Sequence, residues 1–213
     1  AQREVIPDVG RFSVKTSAVS PSDFRKIDKD ERTDVIGIIE GKIITEHLIE
    51  NIPIENGDKA PDIEKDLIRV SVIERHGLNG NISNGFVRGF GLKSGSIAST
   101  VAHDHHNIVA IGIDYEDITI AVNRLSKIEG GIVIVDNGKV VRELALPLAG
   151  LMSAKPFETV EQDLKLLREA AYALGVSLDE PFLQLSFLAL PVIPSLKITD
   201  RGMINVHKFQ IIS

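Results

Sequence analysis

The chain has 213 residues, 43% of them hydrophobic and 25% charged, enough to bury the core of one globular domain, or one and a half. Its formal net charge of -6, with Lys and Arg scattered along the sequence, excludes the electrostatic footprint of a protein that binds nucleic acid or an anionic membrane. The lack of cysteine excludes disulfides, thiolate metal sites and cysteine nucleophiles, fits a reducing cytoplasm, and leaves His, Asp and Glu as metal ligands.

Residues 1–33 mix charge with Pro7 and Pro21 and lack periodicity, which predicts an extended lead-in or linker ahead of a domain over 34–213. No apolar run approaches the roughly 20 residues that span a bilayer, and Ala1 to Glu4 lack the apolar stretch of a signal peptide. A soluble, cytoplasmic protein is therefore expected. Val35 to Ile39 and Lys42 to Ile49, β-rich runs around Glu40-Gly41, predict a hairpin, and Pro53, Asn56-Gly57 and Pro61 predict a loop after it. Asp66 to His76 is rich in Val and Ile and reads as a strand that ends in the polar group Glu74-Arg75-His76. Six glycines between Gly77 and Gly95 mark turns or close backbone approach, with Phe86 to Phe90 as a short strand between them.

Two further strands, Ser96 to Ala102 and Ile108 to Ile113, flank His103-Asp104-His105-His106-Asn107. Glu116 to Ile128 places Ile118, Ala121, Val122 and Leu125 at helical spacing, and Gly130-Gly131 closes it. Asn137-Gly138 is the strongest turn signal in the chain and predicts a hairpin over 132–146. Thr159 to Leu174 is the clearest helix, with Gly175 as its stop. Leu183 to Leu190 is a buried run of undecided type, ended by Pro191 and Pro194. Many strands with two or three helices predict an α+β fold, a mixed or antiparallel sheet with a few packed helices, and not a TIM barrel.

The run His103 to Asn107 holds three of the six histidines and a carboxylate. In extended backbone His103 and His105 share one face, Asp104 and His106 the other, and either pair can chelate a divalent ion. A polar loop that satisfies only its own backbone is the bland alternative, as a salt-bridged surface turn is for Glu74 to His76. The glycines of Gly85 to Gly91 lack the spacing and the following helix of a dinucleotide loop. Gly150 to Ser153 reads as a helix lead-in, no Gly-x-Ser-x-Gly elbow is present, and nothing around His207 specifies a role.

Several of these blocks together resemble one family. Ile73 to His76, Gly85 to Lys93, Gly95 to Ser99, Val101 to Ile108, Ala121 to Arg124, Gly130-Gly131, Leu146 to Ser153 and Pro181 to Pro194 are similar, in order, to the C-terminal domain of the adenine deaminases. The resemblance covers about Val35 to Phe209 and departs at His105, where the family has Ser. It implies a domain packed on an amidohydrolase barrel of the same enzyme, which converts adenine and water to hypoxanthine and ammonia in purine salvage with a divalent metal (Mn, Fe or Zn).

In that reading Glu74, Arg75, His76 and Asn107 belong to a substrate or active-site loop, and His103, Asp104 and His106 are candidates for an additional weak metal site. The barrel's own ligand set is not found here, because His207 is the only imidazole after residue 106 and no series of eight βα units follows. The chain by itself is expected to be inactive. The alternative is a stand-alone binding or regulatory module with this fold and no catalysis. An isolated domain would expose the apolar patch it otherwise buries, which allows a homo-oligomer.

Overall fold

A computed structural model describes residues 10–212. Its centre is an eight-stranded sheet built from β1 (Arg32–Ile38), β2 (Thr45–Asn51), β5 (Leu67–Ile73), β6 (Ile82–Arg88), β7 (Ser96–Ser99), β8 (Ile108–Gly112), β9 (Gly131–Asp136) and β10 (Lys139–Ala145). The strand order is β10-β9-β7-β8-β5-β6-β1-β2. Every neighbouring pair is antiparallel except β1 with β6, which makes the sheet mixed. The hairpin β3 (Ile54–Glu55) and β4 (Asp58–Lys59) stands apart, as does a small sheet of β11 (Leu196–Thr199), β12 (Gly202–Asn205) and β13 (Gln210–Ile211). Among the described residues no sheet closes into a barrel, so the fold is α+β as the composition of elements predicted.

Both faces of the large sheet are covered, which explains why β5 is buried along its whole length and shows little polar alternation. One face packs against α1 (Tyr115–Lys127), whose Ile118, Ala121, Val122 and Leu125 meet Ala98, Ala110, Val133 and Val135. The other packs against α2 (Phe157–Ala173), α3 (Pro181–Phe187) and the small sheet, where Ile68, Val70, Val72 and Ile111 join Leu167, Leu185, Leu196 and Ile198. Along β5 the even positions thus serve one layer, and Arg69, Ser71 and Ile73 point to the other.

The predicted elements differ in detail. The first hairpin pairs from Arg32↔Asn51 to Ile38↔Thr45 and closes through six residues, 39–44, not a tight turn. Asn137 and Gly138 both take positive φ (51° and 75°), as the Asn-Gly signal requires. β6 is longer than expected and runs through Gly85, where a Cβ would lie 2.7 Å from the Met203 sulfur, so this glycine serves close packing and not a turn. The undecided run at 183–190 is helical up to Phe187. Asp114 caps α1 by accepting a hydrogen bond from the Asp117 N–H at 2.7 Å. Asp114→Ala is expected to cost about 1 kcal/mol, read as a lower urea midpoint at unchanged slope; an unmoved midpoint would show that the cap contributes nothing.

Of the expected lead-in, residues 1–9 lie outside the described residues. Within 10–31, Phe24 is buried in the α1 layer, at the end of a 3₁₀ turn, Pro21–Phe24. The Val19 N–H donates to the Asn123 side chain at 3.0 Å, and the Lys15 N–H donates to the Arg75 carbonyl at 2.7 Å. This stretch is fastened to the sheet at several points.

Candidate functional site

The structure gathers Glu74, Arg75, His76, His103, Asp104, His106 and Asn107 at one end of the sheet, where β5 ends and the loop 100–107 joins β7 to β8. Arg75 organises them from beneath. It is 2% exposed, and its guanidinium donates to the His106 carbonyl, to the Ser13 carbonyl at 3.3 Å, to Ser13 Oγ at 3.2 Å and to the Ala149 carbonyl at 2.9 Å. Its backbone N–H donates to Asn107 Oδ1 at 3.3 Å. Burial lowers the pKa of this guanidinium, and its acceptors are neutral. One cation thereby ties three separate segments to the strand end: residues 13–15, 106–107 and 149–150. Gly150 (φ 71°) makes the approach feasible, since a Cβ there would lie 2.8 Å from Arg75 Nη1.

Glu74, also buried, turns the other way into a ring of backbone donors. Its carboxylate accepts from the N–H groups of His76 (2.5 Å), Leu78 (3.1 Å), Asn79 (3.3 Å) and Gly80 (3.2 Å). Burial pushes this carboxyl up, but the four N–H groups together outweigh it and hold its pKa below the usual 4.5. The bland alternative for Glu74 to His76, a salt-bridged surface turn, is not what forms: Glu74 and Arg75 are both buried, and each is satisfied by neutral partners, almost all main-chain, without a second buried charge.

The loop is also held by α3 and by the β11–β12 turn. The His103 N–H donates to the Ser186 carbonyl at 3.2 Å, and the His103 ring stacks on Phe187 with centroids 5.3 Å apart. His105 Nε2 lies 3.0 Å from the Ala189 carbonyl, while its Nδ1 accepts from the Asn107 N–H at 3.1 Å. These two contacts assign the neutral tautomer with the proton on Nε2. Burial lowers the pKa of His105 in the same sense. His76 Nε2 reaches the His105 carbonyl at 2.8 Å. Asp200 accepts from Asn107 Nδ2 at 3.3 Å and from Asn79 Nδ2 at 3.4 Å, joining the two candidate loops.

The metal set expected of His103, Asp104 and His106 is not assembled. His106 Nδ1 accepts from the Ala102 N–H at 3.3 Å, and the Asp104 side chain, 83% exposed, lies 4.0 Å from His103 Nδ1. Among the described residues no three His, Asp or Glu side chains are arranged to hold an ion. The loop does not run in extended backbone: the chain turns at residues 103–105, and His106 takes a left-handed φ of 49°, which together break the alternation on which the pairing was expected. What it presents outward is a half-buried imidazole at His106, whose pKa burial lowers, beside the exposed carboxylate of Asp104.

Thr100, whose hydroxyl donates to the Gly150 carbonyl at 2.6 Å and accepts from the Gly131 N–H at 2.8 Å, was not legible as part of this site, nor were Ser13, Ala149, Gly150 and Asp200. Gly150 to Ser153, expected as a helix lead-in, is the turn against Arg75, and α2 begins only at Phe157. His207 lies elsewhere, 3.0 Å from Ser195 Oγ. Among the described residues no helix is long and apolar enough to cross a membrane.

The model of the adenine deaminase C-terminal domain matches residues 42–210. The chain is 58% identical over 209 residues, 98% of its length, to an adenine deaminase of Brucella anthropi. It is 55% identical over 212 residues to adenine deaminases of Cereibacter sphaeroides and Brucella abortus, 100% of its length in each case. It spans 37%, 38% and 36% of these three relatives' own lengths. The blocks that carried the resemblance are those that build the Arg75 site and the strands and helices around it, and the chain belongs to the adenine deaminase C-terminal domain family.

Proposed function

We propose that this chain is the C-terminal domain of an enzyme that hydrolyses adenine to hypoxanthine and ammonia in purine salvage, and that it packs on the barrel domain with the loop 100–107 at the mouth of the active site. One observation carries the reading: the loop is anchored from inside by Arg75, Asn107 and Thr100, yet leaves Asp104 exposed and His106 half-buried, and large exposed apolar side chains adjoin the anchoring segments in the chain. Leu78 (82% exposed), Phe12 (73%) and Met152 (60%) are chain neighbours of residues fixed at this end of the sheet. Large exposed apolar side chains around a rigid polar loop suit an interface that buries the former and uses the latter.

In a C-terminal domain the rest of the enzyme joins at the N-terminal side. Residues 10–15 run against this same face, with the Ala149 N–H donating to the Gly10 carbonyl at 2.7 Å and the Lys15 N–H to Arg75. The divalent ion (Mn, Fe or Zn) that would activate water for attack on the ring is assigned to the barrel, since among the described residues no three His, Asp or Glu donors converge. Glu74, Arg75 and Asn107 hold the loop in place, whereas His103, Asp104, His106 and His76 supply hydrogen-bonding groups at the pocket wall. A cytoplasmic location goes with this role.

The test joins the chain to the remainder of such an enzyme. The chain by itself is expected to release no ammonia from adenine with added manganese, iron or zinc. In the whole enzyme, Asp104→Ala is expected to lower turnover about tenfold while changing stability by less than about 1 kcal/mol. Unchanged turnover with lost stability would make the loop a structural prop.

A further inference from the structure

A second buried arginine lies near the start of β5, away from the end that leads to Arg75. Arg69 precedes Arg75 by six residues, roughly 20 Å at the rise of a strand. It is 7% exposed and forms part of a cleft of about 400 Å³ between the 3₁₀ turn at Pro21–Phe24, the β3–β4 hairpin and the start of α1. Its guanidinium lies over the Tyr115 ring at 4.0 Å, donates from Nε to the Ile113 carbonyl at 3.3 Å and from Nη1 to the Lys59 carbonyl at 2.8 Å. Among the described residues Nη2 has no hydrogen-bond acceptor, and no carboxylate forms an ion pair with Arg69.

Asp58, the acid that acts on Arg69 most strongly, is already occupied. Asp58 accepts the Lys26 N–H at 2.7 Å and the Tyr115 hydroxyl, and its Oδ2 lies 3.6 Å from Arg25 Nε. Burial pushes the Arg69 guanidinium down to about 10 against the opposing pull of Asp58, Asp114 and Glu55, which leaves it charged at neutral pH. The cleft therefore offers an incompletely partnered, desolvated cation at its floor, the half-exposed Arg25 guanidinium at its side, which also donates to the Asn56 carbonyl at 3.4 Å, and apolar walls from Pro21, Ala60 and Tyr115. Two carboxylates also line the cleft, buried Asp58 and exposed Glu55, and they limit the site to a ligand of low charge.

We propose that this cleft binds a small monocarboxylate with a flat apolar body, the carboxylate accepting from Arg69 Nη2 and Arg25 and the body resting along Pro21, Ala60 and Tyr115. Planar guanidinium donors match a carboxylate in geometry and charge, and a mostly apolar cleft with a few fixed polar groups is the usual form of a small-molecule site. The site is separate from the Arg75 loop and does not depend on the function proposed above.

The test titrates the 213-residue chain with sodium benzoate at constant ionic strength, following the Arg69 Nε–H and Tyr115 ring signals by NMR. Saturable binding with Kd at or below about 1 mM is expected, and benzamide, of the same shape without the charge, should bind at least about tenfold more weakly. Arg69→Met should abolish binding. Arg25→Gln, on the solvent side of the cleft, should keep the melting temperature and weaken benzoate at least about threefold, so it decides the matter if Arg69→Met fails to fold. No saturation by about 10 mM, benzamide equal to benzoate, or undiminished binding by Arg25→Gln would each overturn the proposal.

Discussion

Arg75→Met is expected to destabilise the chain by about 3 kcal/mol or more, because it strips hydrogen-bond donors from carbonyls of three segments while keeping most of the side-chain volume. The His106, Ser13 and Ala149 carbonyls and Ser13 Oγ all accept from this guanidinium. Leaving a buried acceptor unmade costs about 1–3 kcal/mol each, offset in part by water entering from the Ser13 side and by relief of the buried charge. In a domain of this size that loss corresponds to a drop of roughly 6–12 °C in melting temperature. Arg75→Lys is expected to recover only part of it, since an ammonium cannot span the same fork of acceptors. Chemical denaturation of both variants provides the check, and a loss below about 1 kcal/mol for Arg75→Met would mean that the three segments hold one another without it.

The second large effect is expected at Glu74. Glu74→Gln preserves shape but replaces a carboxylate that accepts four backbone N–H groups, and should cost about 2 kcal/mol near neutral pH, the range of hydrogen bonds to a charged acceptor. The pH dependence has a definite sign. The folded pKa lies below the ordinary 4.5, so the stabilisation is fully present above that value and is lost as pH falls through the folded pKa. The stability gap between the parent chain and Glu74→Gln is therefore expected to be flat from pH 7 down to about 5 and to shrink below 4.5. Urea denaturation across that range tests it. A gap that stays constant into the acid range would show that the ring of N–H groups holds a neutral side chain equally well.

The local features were determined by the sequence itself. The helical spacing of Ile118, Ala121, Val122 and Leu125, the Asn137-Gly138 turn and the apolar stripe of α2 each specify their element through neighbours a few residues apart, so one segment suffices to see them. Glu74 to His76 and His103 to Asn107 were legible separately, as a polar strand end and a polar run between apolar strands, and only the family resemblance linked them. Only the tertiary structure decided the strand order, the single parallel pair of β1 with β6, and the small sheet β11–β13, whose short strands carry no pattern of their own. It also decided what the polar residues do. Arg75 reaches carbonyls 31, 62 and 74 positions away. A backbone carbonyl is present at every residue and leaves no side-chain signature, so no motif could reveal those partners. The same reason separates a metal site, which needs several side-chain donors converging in space, from the anchored loop found here: spacing along the chain places His103, Asp104 and His106 together, and the backbone path of residues 103–106 brings the His103 and His106 rings edge to edge, 5.4 Å between centroids, without three donors meeting at one point.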